Sequence, residues 1–272
     1  MTTAQNPLID INDFDQYELH LKNYLQGRLD PHRFVAIRLN LGIYAQRQEG
    51  MCMVRAKLPG GRLNPRQLLG FAEAAERHSG TDSVHITTRQ DIQFHFVPLE
   101  KTPALQHTLG KWDIATREAG GNTVRNITGC SLAGACPAEH VDINAYIDKV
   151  ARHFIRHPLT ASMPRKFKLS FSGCESDCAN GLVHDLGVIA TRREGQPGFR
   201  LLAGGGLGGK PKEAILIEEF IPEDQLIPAI EAVLSVHDKY SDRKRKIRSR
   251  IKFLLDRFGH EGFVEKYREE YA

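Results

Sequence analysis

The sequence predicts an α+β protein built from two modules, and three observations predict it. Stretches 52–58, 83–97 and 165–171 alternate polar and apolar residues with the period of a half-buried strand. Helical stretches separate and follow these strands, and Gly120-Gly121-Asn122 marks a junction between two segments. With 272 residues, 41% hydrophobic and 26% charged, the chain can bury a core as one large or two small domains.

Taken in order, residues 1–45 form a polar lead-in with a helical stretch around 17–25. In 52–58, Cys52, Val54, Ala56 and Leu58 share one strand face and Met53, Arg55 and Lys57 the other, until Pro59-Gly60-Gly61 breaks the pattern. A helix is expected over 65–78. In 83–97 the polar face carries His85, Thr87, Arg89, Gln93 and His95, the apolar face Val84, Ile86, Ile92, Phe94 and Phe96. A helix over 104–119 closes the first module, 46–119. The second, 120–272, opens with cysteines, continues with a helix over 142–157, and reaches a third strand. There Phe167, Leu169 and Phe171 oppose Lys166, Lys168 and Ser170. After the glycine-rich LLAGGGLGGK (201–210), the tail from Pro222 reads as helices, including the basic SDRKRKIRSR and the apolar-periodic IKFLLDRFG.

Composition excludes several classes of function. Lys and Arg number 37 against 33 Asp and Glu, a net charge of +4, too mild for a nucleic-acid protein and compatible with a local anion site. The first twenty residues lack the basic and apolar regions of a secretory signal. No apolar run approaches the roughly 18 residues of a membrane helix. Five cysteines, an odd number, without an export signal point to reduced thiols and a cytoplasmic protein rather than a disulfide framework.

Four of those cysteines form two pairs, Cys130-SLAGA-Cys136 and Cys174-ESD-Cys178. Four thiolates suit an iron–sulfur cluster and also a structural zinc, but the five-residue gap is wider than zinc pairs favour. Cys52 lies on an apolar strand face and reads as core. Arg55, Lys57, Arg89, Arg125, Lys166 and Lys168 all sit on or beside the strands, a concentration suited to a multiply anionic ligand. His85, His95, His140 and His184 show no metal-ligand spacing and read as ordinary polar residues. The glycine run lacks the phosphate-loop pattern, since Pro211 follows Lys210. The basic 241–250 stretch reads as a solvated helix face, with docking of an acidic electron donor as the sharper alternative.

Together MVRAKLPGGRL (53–63), HITTRQDIQFH (85–95), TVRNITGC (123–130), PRKFK (164–168), SGCESDC (172–178) and the AGGGLGG stretch resemble the sulfite and nitrite reductases that contain sirohaem and a [4Fe-4S] cluster. The resemblance covers roughly residues 38 to 260. It implies a ferredoxin-like half-domain followed by a sirohaem/[4Fe-4S] reductase α/β module with a helical C-terminal tail. It further implies that Cys130, Cys136, Cys174 and Cys178 hold the cluster, with Cys178 bridging to the sirohaem iron. Arg55, Arg125, Lys166 and Lys168 would surround the substrate anion, and Arg89, Gln93 and His95 would contact the sirohaem. The implied reaction reduces sulfite to sulfide or nitrite to ammonia, with electrons from ferredoxin or a similar donor.

Members of the usual size carry two such modules in one chain, whereas this sequence has one that holds both sets of residues. The expected partner is therefore a second chain, either another copy in a homodimer or a paralogous half-size subunit. The alternative is a non-catalytic or electron-transfer [4Fe-4S] subunit of a larger reductase complex, and a zinc-stabilised binding module is a third reading.

Overall fold

The alternation of the first segment folds into an antiparallel sheet of four strands, β1 (Ile43–Ala45), β2 (Met51–Ala56), β3 (His85–Ile86) and β4 (Ile92–Pro98), in the order β1-β2-β4-β3. The computed structural model describes residues 7–272 and divides into two units, the first ending at Gly121 and the second running Asn122–Ala272. Four helices belong to the first unit: α1 (Ile11–Leu25), α2 (Pro31–Asn40), α3 (Pro65–His78) and α4 (Thr102–Lys111). Side chains of Asp10, Asp30 and Asn64 cap the first three, and Asn64 with Gln67 forms a reciprocal capping box. Val54, Ala56, Ile92, Phe94 and Val97 pack with Phe71, Leu105 and Leu109 in one core. Tyr17, Leu21 and Phe34 belong to that same core, so the helices of 11–40 are integral to the unit.

Three local differences from the sequence pattern have physical causes. The 83–97 stretch is a hairpin rather than one strand. Thr87 Oγ1 accepts from the backbone N–H groups of Arg89 (3.2 Å) and Asp91 (3.1 Å), and Gln90 takes a left-handed φ of 57°, which turns the chain. Met53 is buried beside its neighbours because the β2–β4 register shifts between Cys52 and Val54. The helix expected over 104–119 stops at Lys111, where Asp113 turns left-handed and Ile114 N–H returns to Leu109 O at 3.1 Å.

The second unit is a mixed five-stranded sheet. Strands β5 (Thr128–Gly129), β6 (Leu169–Ser172) and β7 (Leu186–Arg193) run parallel, and β8 (Gln196–Ala203) and β9 (Ile215–Pro222) are added antiparallel, in the order β5-β6-β7-β8-β9. Phe167, Leu169 and Phe171 are fully buried, and so are Ser170 and Ser172, which makes β6 a central strand covered on both faces. Helices α5 (Ile143–Phe154), α6 (Leu226–Tyr240) and α7 (Lys252–Tyr271) complete the unit, α7 bending at Gly259. The basic 241–250 stretch is not helical beyond a short turn at Lys246–Arg248. Asp242 accepts from the Lys244 and Arg245 amides, and five cations within six residues would repel at helical i, i+3 and i+4 spacings. Among the described residues, no helix is long and apolar enough to cross a membrane.

Candidate cofactor site

Cys130 directly follows β5, and Cys174 follows β6 after a single glycine. Because β5 and β6 are parallel neighbours, both cysteine loops leave the sheet at the same end, the carboxyl end where open sheets place ligands. The first loop is wound by backbone turns: Ala133 N–H to Cys130 O at 3.2 Å, Cys136 N–H to Leu132 O at 2.9 Å, and Glu139 N–H to Cys136 O at 3.1 Å. Gly134 sits at φ 81°, and its N–H donates to Glu139 Oε2 at 2.8 Å. In the second loop Asp177 Oδ1 accepts from Ser172 Oγ (2.8 Å) and from Gly181 N–H (2.9 Å), while Ser172 Oγ accepts from Ala179 N–H (3.1 Å). That loop packs directly on β7: a Cβ on Gly187 would come within 2.5 Å of Gly181 Cα, so only glycine fits.

The four thiols act on one another. The Cys130 thiol first, then burial and the Cys174 and Cys136 thiols, pushes the Cys178 thiol above its ordinary value. Four cysteine thiols brought near enough for Cys130, Cys174 and Cys136 to act on Cys178 form the soft sulfur donor set that an iron–sulfur cluster takes. The donor set therefore fits a [4Fe-4S] cluster. Cys178 is exposed, and so are three leucines of this unit, Leu132 in the first cysteine loop, Leu182 just beyond Cys178 and Leu207 in the glycine run. The glycine run is fixed to the Cys178 side, since a Cβ on Gly205 would meet Leu182 O at 2.3 Å. Exposed apolar groups in these loops, together with an exposed thiol, suit the face of a macrocycle.

The cations of the second unit lie at the other end of the same strands. Arg125 precedes β5 and is bonded through its N–H to Phe167 O at 2.9 Å, while Lys166 and Lys168 precede β6. Burial, then the charges of Arg125, Arg165 and Arg250, pushes the Lys166 ammonium down to about 8 against the opposing pull of Asp185. Asp185, fully buried, accepts from Lys168 N–H at 2.8 Å and from Arg250 Nε at 2.7 Å. Arg250 belongs to the basic stretch read from sequence as solvated, yet here it is tied into the cation cluster. Nothing in the local spacing marked Asp185 or Arg250, since their partners are 65 residues apart.

In the first unit the structure brings Arg55 and Gln93 together. With the Gln93 amide oxygen turned toward the guanidinium, it accepts from Arg55 Nη2 at 2.7 Å and Nε at 2.9 Å. Arg55 also donates to Ala119 O at 3.1 Å and lies 4.0 Å from Asp91. His95 and His85 meet edge to face across β3 and β4, with centroids 6.0 Å apart, and Arg89 lies in the connecting turn. Lys57, grouped from sequence with the anion-facing cations, is instead buried 3.7 Å from Glu118. Its position on the strand was legible; its carboxylate partner, sixty residues on, was not.

The model of the "Nitrite and sulphite reductase 4Fe-4S domain" matches residues 120–272, and that of the "Nitrite/Sulfite reductase ferredoxin-like half domain" matches 44–112. The chain belongs to the nitrite and sulfite reductase family. The cofactors this family implies are a [4Fe-4S] cluster and sirohaem. Among its relatives are the assimilatory ferredoxin-dependent nitrite reductase of Haloferax mediterranei, 32% identical over 85% of this chain and 42% of that protein, and sulfite reductase [ferredoxin] 2 of Mycolicibacterium paratuberculosis, 31% identical over 85% and 44%. The chain thus spans less than half the length of the curated reductases it matches. Mycobacterium tuberculosis NirA shares the fold, with a TM-score of 0.81 over 97% of this chain and 53% of its own, at 24% identity. Dissimilatory sulfite reductase I matches at 0.68, over 96% of this chain and 88% of its own.

Proposed function

We propose that this chain is a half-size, cytoplasmic sirohaem- and [4Fe-4S]-dependent subunit that reduces sulfite or nitrite with electrons from ferredoxin or a similar donor. We further infer that it completes its site with a second chain. Cys130, Cys136, Cys174 and Cys178 hold the cluster, and Cys178 faces the sirohaem. Arg55, Arg125, Lys166 and Lys168 hold the substrate anion and deliver protons to it, while Arg89, Gln93 and His95 contact the sirohaem. When bound, the sirohaem supplies the iron that takes the anion and the cluster supplies electrons. The cationic groups lower the energy of negative charge there and exclude neutral competitors.

One observation carries the second-chain reading. Lys168 immediately precedes β6 and Cys174 follows it after one glycine, so the four strand residues alone hold them apart by about 13 Å, more than a lysine side chain spans. Within this unit the cations of β6 and its cysteines therefore serve opposite ends of the sheet. Another copy, related by a twofold axis, can offer its cations to the cluster end of the first, which gives two shared sites per dimer.

Complementation tests this. One copy carries Lys166→Met and Lys168→Met, the other Cys174→Ala, and the two are co-expressed in cells that make sirohaem. Each variant alone is expected to be inactive, and the mixture to regain activity because one of its sites joins an intact cluster to intact cations. A mixture as inactive as its parts, with the wild-type chain active as a monomer by light scattering, sinks the shared site. In the holoprotein, Cys178→Ser should abolish the haem–cluster magnetic coupling of the parent; coupling that persists removes Cys178 from the bridging position.

A further inference from the structure

Away from the cysteine loops, the second unit gathers two imidazoles and a carboxylate. His153 lies on the last turn of α5, which ends at Phe154, and Arg156 then takes a left-handed φ of 58°. A bulky residue rarely adopts that conformation, and here it folds the chain back so that His157 stacks on His153, with centroids 5.3 Å apart and planes at 29°. Glu231 of α6 faces both rings. Its Oε1 lies 2.6 Å from His153 Nε2 and 3.6 Å from His157 Nε2. One ligand atom from each of the three side chains falls within 4.8 Å of the others, and all three are half-buried.

We propose that His153, His157 and Glu231 form a second metal site, separate from the four thiols and suited to a borderline divalent cation of the zinc type. Imidazole and carboxylate are the donors such a cation takes at about 2.0–2.2 Å, and two ligands on a tetrahedral ion then stand about 3.3–3.5 Å apart. The Glu231–His157 separation already matches. The Glu231–His153 contact needs to open by less than 1 Å, which small side-chain rotations supply. Binding at His157 Nε2 moves the ring proton to Nδ1, at the expense of the long 3.3 Å contact with the Leu159 amide. Partial exposure leaves a coordination position for water.

The site would clip the end of α5 to α6. On α6, His237 Nε2 lies 3.0 Å from Arg165 O, the residue before Lys166, so a metal here would tighten the segment that leads into the cationic strand. Its signal was in the sequence, His153-FIR-His157, two histidines four apart on a helix end. The carboxylate, 74 residues further on, was not marked by any local pattern.

The test titrates Zn2+ into the cluster-loaded chain under anaerobic conditions, by calorimetry, with zinc-edge absorption spectroscopy on the product. One site per chain is expected, bound through nitrogen and oxygen without sulfur, and weakened about tenfold or more by His157→Gln and by Glu231→Gln. Zn2+ should also raise the melting temperature of the parent chain more than that of either variant, a comparison that holds even where a variant is less stable. Sulfur in the zinc shell, no saturable site, or equal affinity in parent and variants overturns the proposal.

Discussion

The two units each carry a lysine-bearing strand read from sequence as a cationic face, and they use it in opposite ways. In the first unit a carboxylate balances the lysine: Glu118 is buried with Lys57. In the second, Lys166 lies among Arg125, Arg165 and Arg250, and the one acid acting on it, Asp185, is already bonded to Arg250 and the Lys168 backbone. A balanced pair in a dry interior is a structural element whose worth shows when it is broken. A surplus of like charges held together by the fold is an unfavourable arrangement that a small anion relieves. Under the proposed function, the same residue type is thus architecture in one unit and a binding device in the other.

The largest expected effect follows from the balanced pair. Lys57→Met leaves Glu118 buried without its cation and is expected to cost about 3–5 kcal/mol of stability, read from the denaturant midpoint. Adding Glu118→Gln should recover part of the loss, as partners in one buried pair do. A single variant as stable as the parent would erase the contrast between the units. Next in size, Lys166→Met should lower kcat/KM for the anion about 100-fold while leaving stability unchanged or raised, because the fold disfavours that charge. A variant that loses stability and keeps activity would reverse the assignments of the two lysines.

These cases also show what the sequence could tell. The helix over Pro65–His78 and the cysteine pairs were legible because each depends on neighbours within a few residues. The strand faces were legible only in part: Met53, Lys57 and Gln93, read as the polar side, are buried, while Ile86 and Phe96, read as the apolar side, are exposed. The turn at Thr87–Asp91 interrupts the alternation, because Thr88 and Gln90 are polar where the apolar face would continue, and that run of five polar residues is the turn signal that a strand reading passes over. Helicity was overestimated in 241–250, where charge repulsion and the Asp242 side chain compete with a pattern that looks helical. Partners were out of reach altogether. Glu118 for Lys57, Arg250 for Asp185 and Glu231 for His153 are each about sixty residues or more distant, and only the packed fold chooses them. For the same reason the four cysteines were recognisable as a set, while the placement of cations and thiols at opposite ends of the strands required the parallel pairing of β5 and β6.

The smallest expected effect is a pH dependence. Lys166 in the fold is held near 8, below its unfolded value of about 10.4, so the folded state binds fewer protons than the unfolded state between those limits. Folding stability from this group should accordingly rise with pH across that window, the reverse of a lysine held in an ion pair. Anion binding has the opposite sign. A bound anion favours the ammonium, so binding above pH 8 must take up a proton, and affinity should weaken by up to tenfold per pH unit from there. Nitrite keeps its charge throughout this range, so its dissociation constant, measured on the oxidised holoprotein between pH 6.5 and 9.5, isolates the protein group. The parent should be flat below 8 and weaken above it, and Lys166→Met should be weak and flat throughout. A variant that retained the full slope would place the titrating group elsewhere in the cation cluster, and the surplus charge would then belong to the set rather than to Lys166.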